Sequence, residues 1–205
     1  SDPSAPAAAE NLSISYATPG ATTARISCDL PTKTAGGNEL KGLVNVAIVV
    51  DGDTVQIKEN QSPGAEFSIS LALTNGLHVL KVICLNSGGE GVAASIKTFT
   101  GEDMPQIPTE VTAVAEESGK VTLSWTLPEA GINGGWVNLT KVSYDILRNG
   151  ESLSTDIKET TYIDNLPENE LKSYKYTVIV KFGGEECGSV ESNSVVFGKA
   201  VSLPY

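Results

Sequence analysis

Residues 121–128 read Val121-Thr122-Leu123-Ser124-Trp125-Thr126-Leu127-Pro128. Apolar Val121, Leu123, Trp125 and Leu127 alternate with hydroxyl-bearing Thr122, Ser124 and Thr126. A period of two puts one set of side chains on a buried face and the other on a wet face, which predicts a half-buried β-strand. Pro128 has no N–H to give to a sheet and ends the strand. A strand with a central tryptophan and a proline stop is expected at the core of a small two-layered β-fold.

The same grammar runs outward in both directions. In the second half, strands are predicted at 111–115, 121–127, 142–148, 162–166, 174–181 and 190–197, with Asn149-Gly150 as a two-residue hairpin turn. In the first half they are predicted at 11–17, 24–30, 43–50, 54–58, 66–73, 77–85 and 92–100. Asp51-Gly52-Asp53, Asn75-Gly76 and Ser87-Gly88-Gly89 supply the turns between them. No stretch carries helical periodicity. Short strands at regular spacing with turn signals between them predict an all-β fold of two consecutive seven-stranded, immunoglobulin-like β-sandwiches.

The two halves are copies. Cys28 and Trp125 stand 97 positions apart, as do Pro31 and Pro128, and Gly52 and Gly150 stand 98 apart. His78-x-Leu80-x-Val82-x-Cys84 repeats as Tyr174-x-Tyr176-x-Val178-x-Val180 at an offset of 96. The expected domains are an N-terminal tether over 1–10, a first sandwich over 11–103, a second over 104–199, and at 200–205 the start of a linker to a further segment. Gly101 to Pro108, with Pro105 and Pro108, reads as a short, stiff junction.

VTLSWTLP (121–128), YKYTVIV (174–180) and SNSVV (192–196) resemble strands B, F and G of a fibronectin type III domain. The resemblance spans Pro108 to Lys199. The first unit is a divergent copy without the tryptophan and the corner tyrosine. PTKTAGGN (31–38) and GINGGW (131–136) resemble loops of tandem type III modules in large surface or secreted proteins of gut bacteria. The resemblance implies an extracellular spacer or adhesion role at the cell surface, without catalysis. It also implies an unknown protein or glycan partner, a neighbouring C-terminal domain announced by the final LPY, and a removed leader, with lipid anchoring as one form of it. Sandwiches of this kind host many tasks, so fold is specified more firmly than function.

Totals exclude several classes. The 205 residues accommodate two domains of about 100. The formal charge of −11 is spread over both halves, against the clustered Lys and Arg that nucleic acid or an anionic membrane surface demands. No run approaches the ~20 apolar residues of a bilayer span. With one histidine, His78, a histidine triad or a multi-histidine metal site is excluded, and no phosphate cradle or cofactor motif is present. Asp51-Gly52-Asp53 is read as a turn rather than a calcium loop, because Asn149-Gly150-Glu151 fills the matching hairpin without the acid pair. Asn11-Leu12-Ser13 and Asn138-Leu139-Thr140 match the glycosylation sequon, a motif too short to carry weight.

The remaining candidates are few. By the resemblance, Tyr174 is the structural corner tyrosine, and His78 stands in its place in the first unit, bonding back to nearby backbone. Trp136, in the loop between the second and third strands of the second unit, is the candidate ligand-stacking residue; capping its own core is the plainer reading. Strand phase turns Ala47, Val49, Val79 and Ile83 outward, where the second unit has Ser143, Asp145, Lys175 and Thr177. Val49, Val79 and Ile83 are therefore candidate interface residues, facing the second unit, another copy or a neighbour domain. Alignment sets Leu80, four residues before Cys84, opposite Cys28, and four strand residues are ~13 Å, beyond disulfide reach. Cys28 and Cys84 are expected to be buried thiols, and Cys187 an exposed one.

Overall fold

The computed structural model describes residues 2–201, 203 and 204, and they divide into two compact units after Glu102. In the first unit, β1 (Glu10–Tyr16), β2 (Thr23–Asp29) and β5 (Glu66–Ala72) form one antiparallel sheet in the order β1-β2-β5. The second sheet runs β4 (Asp53–Gln61), β3 (Val44–Val50), β6 (Gly76–Asn86), and β6 then pairs with β7 (Gly89–Glu90) and β8 (Ala94–Thr100). β7 and β8 are successive pieces of one last strand, which makes seven. Between the sheets lie Ile26 and Cys28 from β2, Phe67 from β5, Val46 and Ile48 from β3, and Leu80 and Val82 from β6. Ile26, Ile48 and Leu80 are wholly buried, each such side chain stabilising the unit by about 1.5–3 kcal/mol.

The second unit repeats the plan with β9 (Thr112–Ala115), β10 (Lys120–Ser124) and β13 (Thr161–Asn165) in the order β13-β10-β9. Facing them are β12 (Glu151–Ile157), β11 (Val142–Arg148), β15 (Tyr176–Phe182) and β16 (Glu185–Glu191). β14 (Lys172–Tyr174) and β17 (Val195–Phe197) pair with each other and continue β15 and β16, again giving seven strands. The arm Glu151–Ile157, absent from the sequence-read strands, is the return strand of the Asn149-Gly150 hairpin. In both units the fourth strand pairs with the third rather than with the fifth.

Turn chemistry repeats as closely as the strands. Asp51 and Gly52 have φ of 50° and 91°, Asn149 and Gly150 of 47° and 83°. Two consecutive positive φ values match the twist of a tight hairpin, which is why Asp-Gly and Asn-Gly occur there. Each turn residue also grips the neighbouring strand. Val79 N–H donates to Asp51 Oδ1 at 2.8 Å, and Lys175 N–H donates to Asn149 Oδ1 at 2.9 Å.

Two expectations need correction. The strand expected over 121–127 stops at Ser124. Trp125 N–H donates instead to the Thr160 carbonyl at 3.0 Å, and Leu127 is 46% exposed. Pro128, lacking an N–H and crowding the residue before it, draws the chain out of the sheet. The expected tether is also no tether among the described residues: Ala5 and Pro6 are buried, and their carbonyls accept N–H bonds from Ala35 and Val92. Small side chains between glycine-rich loops can be buried without a large apolar payload, so low hydrophobicity was misread as freedom. The linker start expected at 200–205 lies partly outside the described residues.

Candidate functional site

Among the described residues three buried side chains that are acidic or basic, His78, Asp103 and Asp164, each anchor a polar cluster that ties together parts of its own unit. In the first unit His78, 8% exposed, lies between two acceptors. Its Nδ1–H donates to Asp51 Oδ2 at 2.6 Å and its Nε2–H to the Thr74 carbonyl at 2.6 Å. The Thr74 carbonyl and the Asp51 carboxylate raise the ring's pKa above its usual 6.5, and the Val79 N–H and His78 lower that of Asp51. His78 thus bonds to backbone four residues upstream and adds a second bond across to the hairpin turn.

Tyr174 is a correction to the corner reading. Its buried ring lies under Arg148, 5.7 Å from centroid to guanidinium carbon, and under Lys172 at 5.6 Å, and its hydroxyl makes no hydrogen bond among the described residues. The bonded hydroxyl is that of Tyr176, which donates to Asp164 Oδ2 at 2.6 Å. Arg148 Nη1 reaches the same oxygen at 2.9 Å. Burial foremost, then the Asp164 bond, pushes the Tyr176 phenol up. The set joins β11, β13 and β15 through one shared carboxylate oxygen.

The third cluster lies where the sequence suggested only a linker acid. Asp103 is 1% exposed, with both carboxylate oxygens spoken for. Oδ2 accepts from Asn133 N–H (2.8 Å) and Gly135 N–H (2.9 Å); Oδ1 accepts from Met104 N–H (2.8 Å) and Asn133 Nδ2 (3.1 Å). Burial pulls its pKa up, but the four donors outweigh that and hold it below 3.8. The Asp103 N–H donates to the Trp136 carbonyl at 2.7 Å. A Cβ on Gly131 would collide with the Asp103 carboxyl group, so the loop closes on the acid only with glycine there. A glycine-rich loop such as GINGGW points several N–H groups at one place; that surplus of donors was the available signal for a buried acceptor.

Trp136 is therefore a 40%-exposed ring on a loop fixed by Asp103. Ile132, Met104 and Leu139 are exposed apolar neighbours in sequence or by backbone bonding. In the same loop, the Asn133 amide is committed to Asp103.

On the outer face of the first unit's larger sheet, Ala47 and Val49 are buried although neither joins the inter-sheet core, and Val79 and Ile83 are half-buried. Register sets Ala47 between Ile57 and Ile83. The corresponding face of the second unit is polar: Lys181 pairs with Asp145 at 3.0 Å and with Asp156, and Lys175 with Glu191 at 3.2 Å. Cys28 and Cys84 are reduced and buried, burial pushing Cys84 up to about 12 with a further push from Cys28, while Cys187 is half-exposed. A surface depression of about 510 Å³ is lined by Glu10, Asp29, Thr32 and Lys33, with no aromatic side chain. Among the described residues no group of three or more His, Cys, Asp or Glu side chains is placed to hold a metal, and no helix is long and apolar enough to cross a membrane.

Strand order and cores define the class: two consecutive, seven-stranded, immunoglobulin-like β-sandwiches of fibronectin type III type. No family model matches the chain, and no curated protein does. Among solved structures, the FN1–FN3 domains of chicken CNTN1 align over 95% of this chain and 68% of that one, at 14% identity and a TM-score of 0.36. The central fibronectin-III array of RIM-binding protein aligns over 97% and 71%, at 15% identity and a TM-score of 0.33.

Proposed function

We propose that the chain is a non-catalytic spacer or adhesion module of a secreted or cell-surface bacterial protein, presenting neighbouring segments to a protein or glycan partner. One observation carries this reading. The buried or half-buried polar clusters, at His78, Asp103 and Asp164, are used up in tying loops and strands of their own unit together. An active site needs a reactive group left over, held within reach of a second one. The resemblance of 31–38 and 131–136 to loops of gut-bacterial surface modules supports the extracellular placement.

Pulling on the chain by its ends tests the mechanical part. Two unfolding events of similar contour length, one per sandwich, are expected; a featureless extension would sink the spacer role. Protease added to intact producing cells should cleave the chain if it is displayed outside, and protection would remove the surface placement.

A second reading rests on Trp136. An exposed indole on a fixed loop can stack on a sugar ring. A glycan array comparing the chain with Trp136→Ala decides it: signal lost in the variant supports an accessory glycan-binding module, and no signal in either leaves the spacer.

A further inference from the structure

Residues 3–7 lie between the loop that follows β2, residues 30–38, and the loop that leads from β6 to β8. Successive backbone carbonyls are received alternately by the two walls. Pro3 O accepts from Gly36 N–H at 2.8 Å and Ala5 O from Ala35 N–H at 2.7 Å, both on the first wall. Ser4 O accepts from Asn86 Nδ2 at 3.0 Å and Pro6 O from Val92 N–H at 3.1 Å, both on the second. Ala7 N–H then donates to the Lys33 carbonyl at 2.9 Å. Residues 2–5 make a turn, closed by Ala5 N–H donating to the Asp2 carbonyl at 3.0 Å and by Ser4 N–H donating to Asp2 Oδ1 at 2.8 Å, and Pro6 then bridges to Thr34, so the segment is held on both sides through its carbonyls rather than as an added strand. Pro3 and Pro6 have no N–H to leave unsatisfied, and their fixed φ lowers the entropy lost on seating the segment.

The walls are shaped for it. A Cβ on Gly36 would come within 3.0 Å of Pro3 O; on Gly88 it would run into Ser4 and Ala5; on Gly91 it would meet the Pro6 carbonyl foremost and then the Cys84 carbonyl. None of these three glycines has a left-handed backbone, so no turn demands them. Close approach of residues 3–6 does. Ala5 is wholly buried, leaving room for a methyl group and little more.

We infer that these walls form a peptide-acceptor slot for a short turn-forming segment of small residues bracketed by prolines. In this chain the slot is filled by its own residues 3–7. Backbone carbonyls give the affinity, the prolines the stiffness, and the buried alanine the selectivity.

The test begins with the full, folded chain carrying a protease site in place of Ala7–Ala9. After cutting, native mass spectrometry should find the N-terminal fragment still bound, and a fluorescent peptide of residues 1–8 should replace it saturably, one per chain. Gly88→Ala, whose new methyl meets Ser4 and Ala5 first, should weaken peptide binding roughly tenfold or more. Loss of the fragment, with no peptide uptake by the folded remainder, overturns the inference. If the cut chain unfolds, hydrogen exchange on the uncut chain decides. The amides of Ala7, Ala35, Gly36 and Val92 should exchange together and faster than that of Leu80. Exchange only as slow as Leu80 would make the segment an inseparable part of the core and end the proposal.

Discussion

His78 Nδ1 lies 2.6 Å from Asp51 Oδ2 and its Nε2 lies 2.6 Å from the Thr74 carbonyl, two acceptors that are satisfied together only when the imidazole carries both protons. Neutral imidazole has one donor only and must break one of the two bonds. The first unit thus secures its β5–β6 loop and its β3–β4 turn with one buried positive ring. The second unit, at the matching place, seats Tyr174 beneath two cations and moves the bonded hydroxyl two residues on, to Tyr176.

A pH dependence with a definite sign follows. The folded pKa of His78 lies above the unfolded 6.5, so its stabilisation is complete below 6.5 and is lost as pH rises through the folded value. Asp51 runs the other way: its folded pKa is below 3.8, and its share is present above 3.8 and lost as pH falls through the folded value. The first unit should be most stable between these limits. Because the chain has one histidine, a single imidazole proton resonance reports the titration directly. A midpoint at or below 6.5 would falsify the cationic corner, and His78→Phe should abolish the alkaline limb of the melting profile.

Removing the Asp103 carboxylate strands four donors around a buried site. Asp103→Ala should destabilise the second unit by about 3 kcal/mol and lower its melting temperature by roughly 10–20 °C. Gly131→Ala should do similar damage by pushing a methyl group into the acid. Since the folded pKa of Asp103 is lowered, its stabilisation is present above 3.8 and declines in acid below that. Calorimetry of both variants beside the parent checks this, and unchanged melting in Asp103→Ala would show that the loop holds itself.

Two buried tyrosines should respond oppositely to loss of their hydroxyls. Among the described residues Tyr144 Oη and Trp125 Nε1 have no hydrogen-bond partner, and the two rings meet edge to face at 5.2 Å. Burial raises the Tyr144 phenol, and the indole N–H beside it opposes that slightly without a properly formed bond. Tyr144→Phe should therefore be neutral or stabilising, whereas Tyr176→Phe takes a donor from Asp164 and should cost about 1–3 kcal/mol. Equal losses in the two would contradict the assignment.

Strand identity was legible because alternation and turn residues are local: Asp51-Gly52 and Asn149-Gly150 announce their hairpins, and VTLSW announces its buried face. What local pattern cannot convey is which distant groups a polar residue meets. Asp103 carries no local signal within the Gly101–Pro108 junction because its four donors lie about 30 residues away or in its neighbour's backbone. The 3–7 segment looked free because its burial depends on three glycines at 36, 88 and 91 rather than on its own hydrophobicity. His78 bonds the Thr74 carbonyl four residues upstream, whereas Tyr174 lies under two cations and the bonded hydroxyl is that of Tyr176, because two tyrosines two residues apart offer the same local pattern.

The thiols provide a last check on how tightly the first core closes. Cys28 and Cys84 project from β2 and β6 into one core at 4% and 1% exposure, and burial raises both pKa values, Cys84 to about 12. Thiolate is the reacting species, so both should be inert to an aromatic disulfide reagent while the unit is folded. Half-exposed Cys187 should react first, although burial and then Glu185 hold its thiol somewhat above the usual value. One equivalent should be released from the native chain and three after denaturation. Release of two or three equivalents from folded protein would mean that the β2–β6 contact opens on its own, a weakness that neither the buried Leu80 nor the register of the surrounding strands allows.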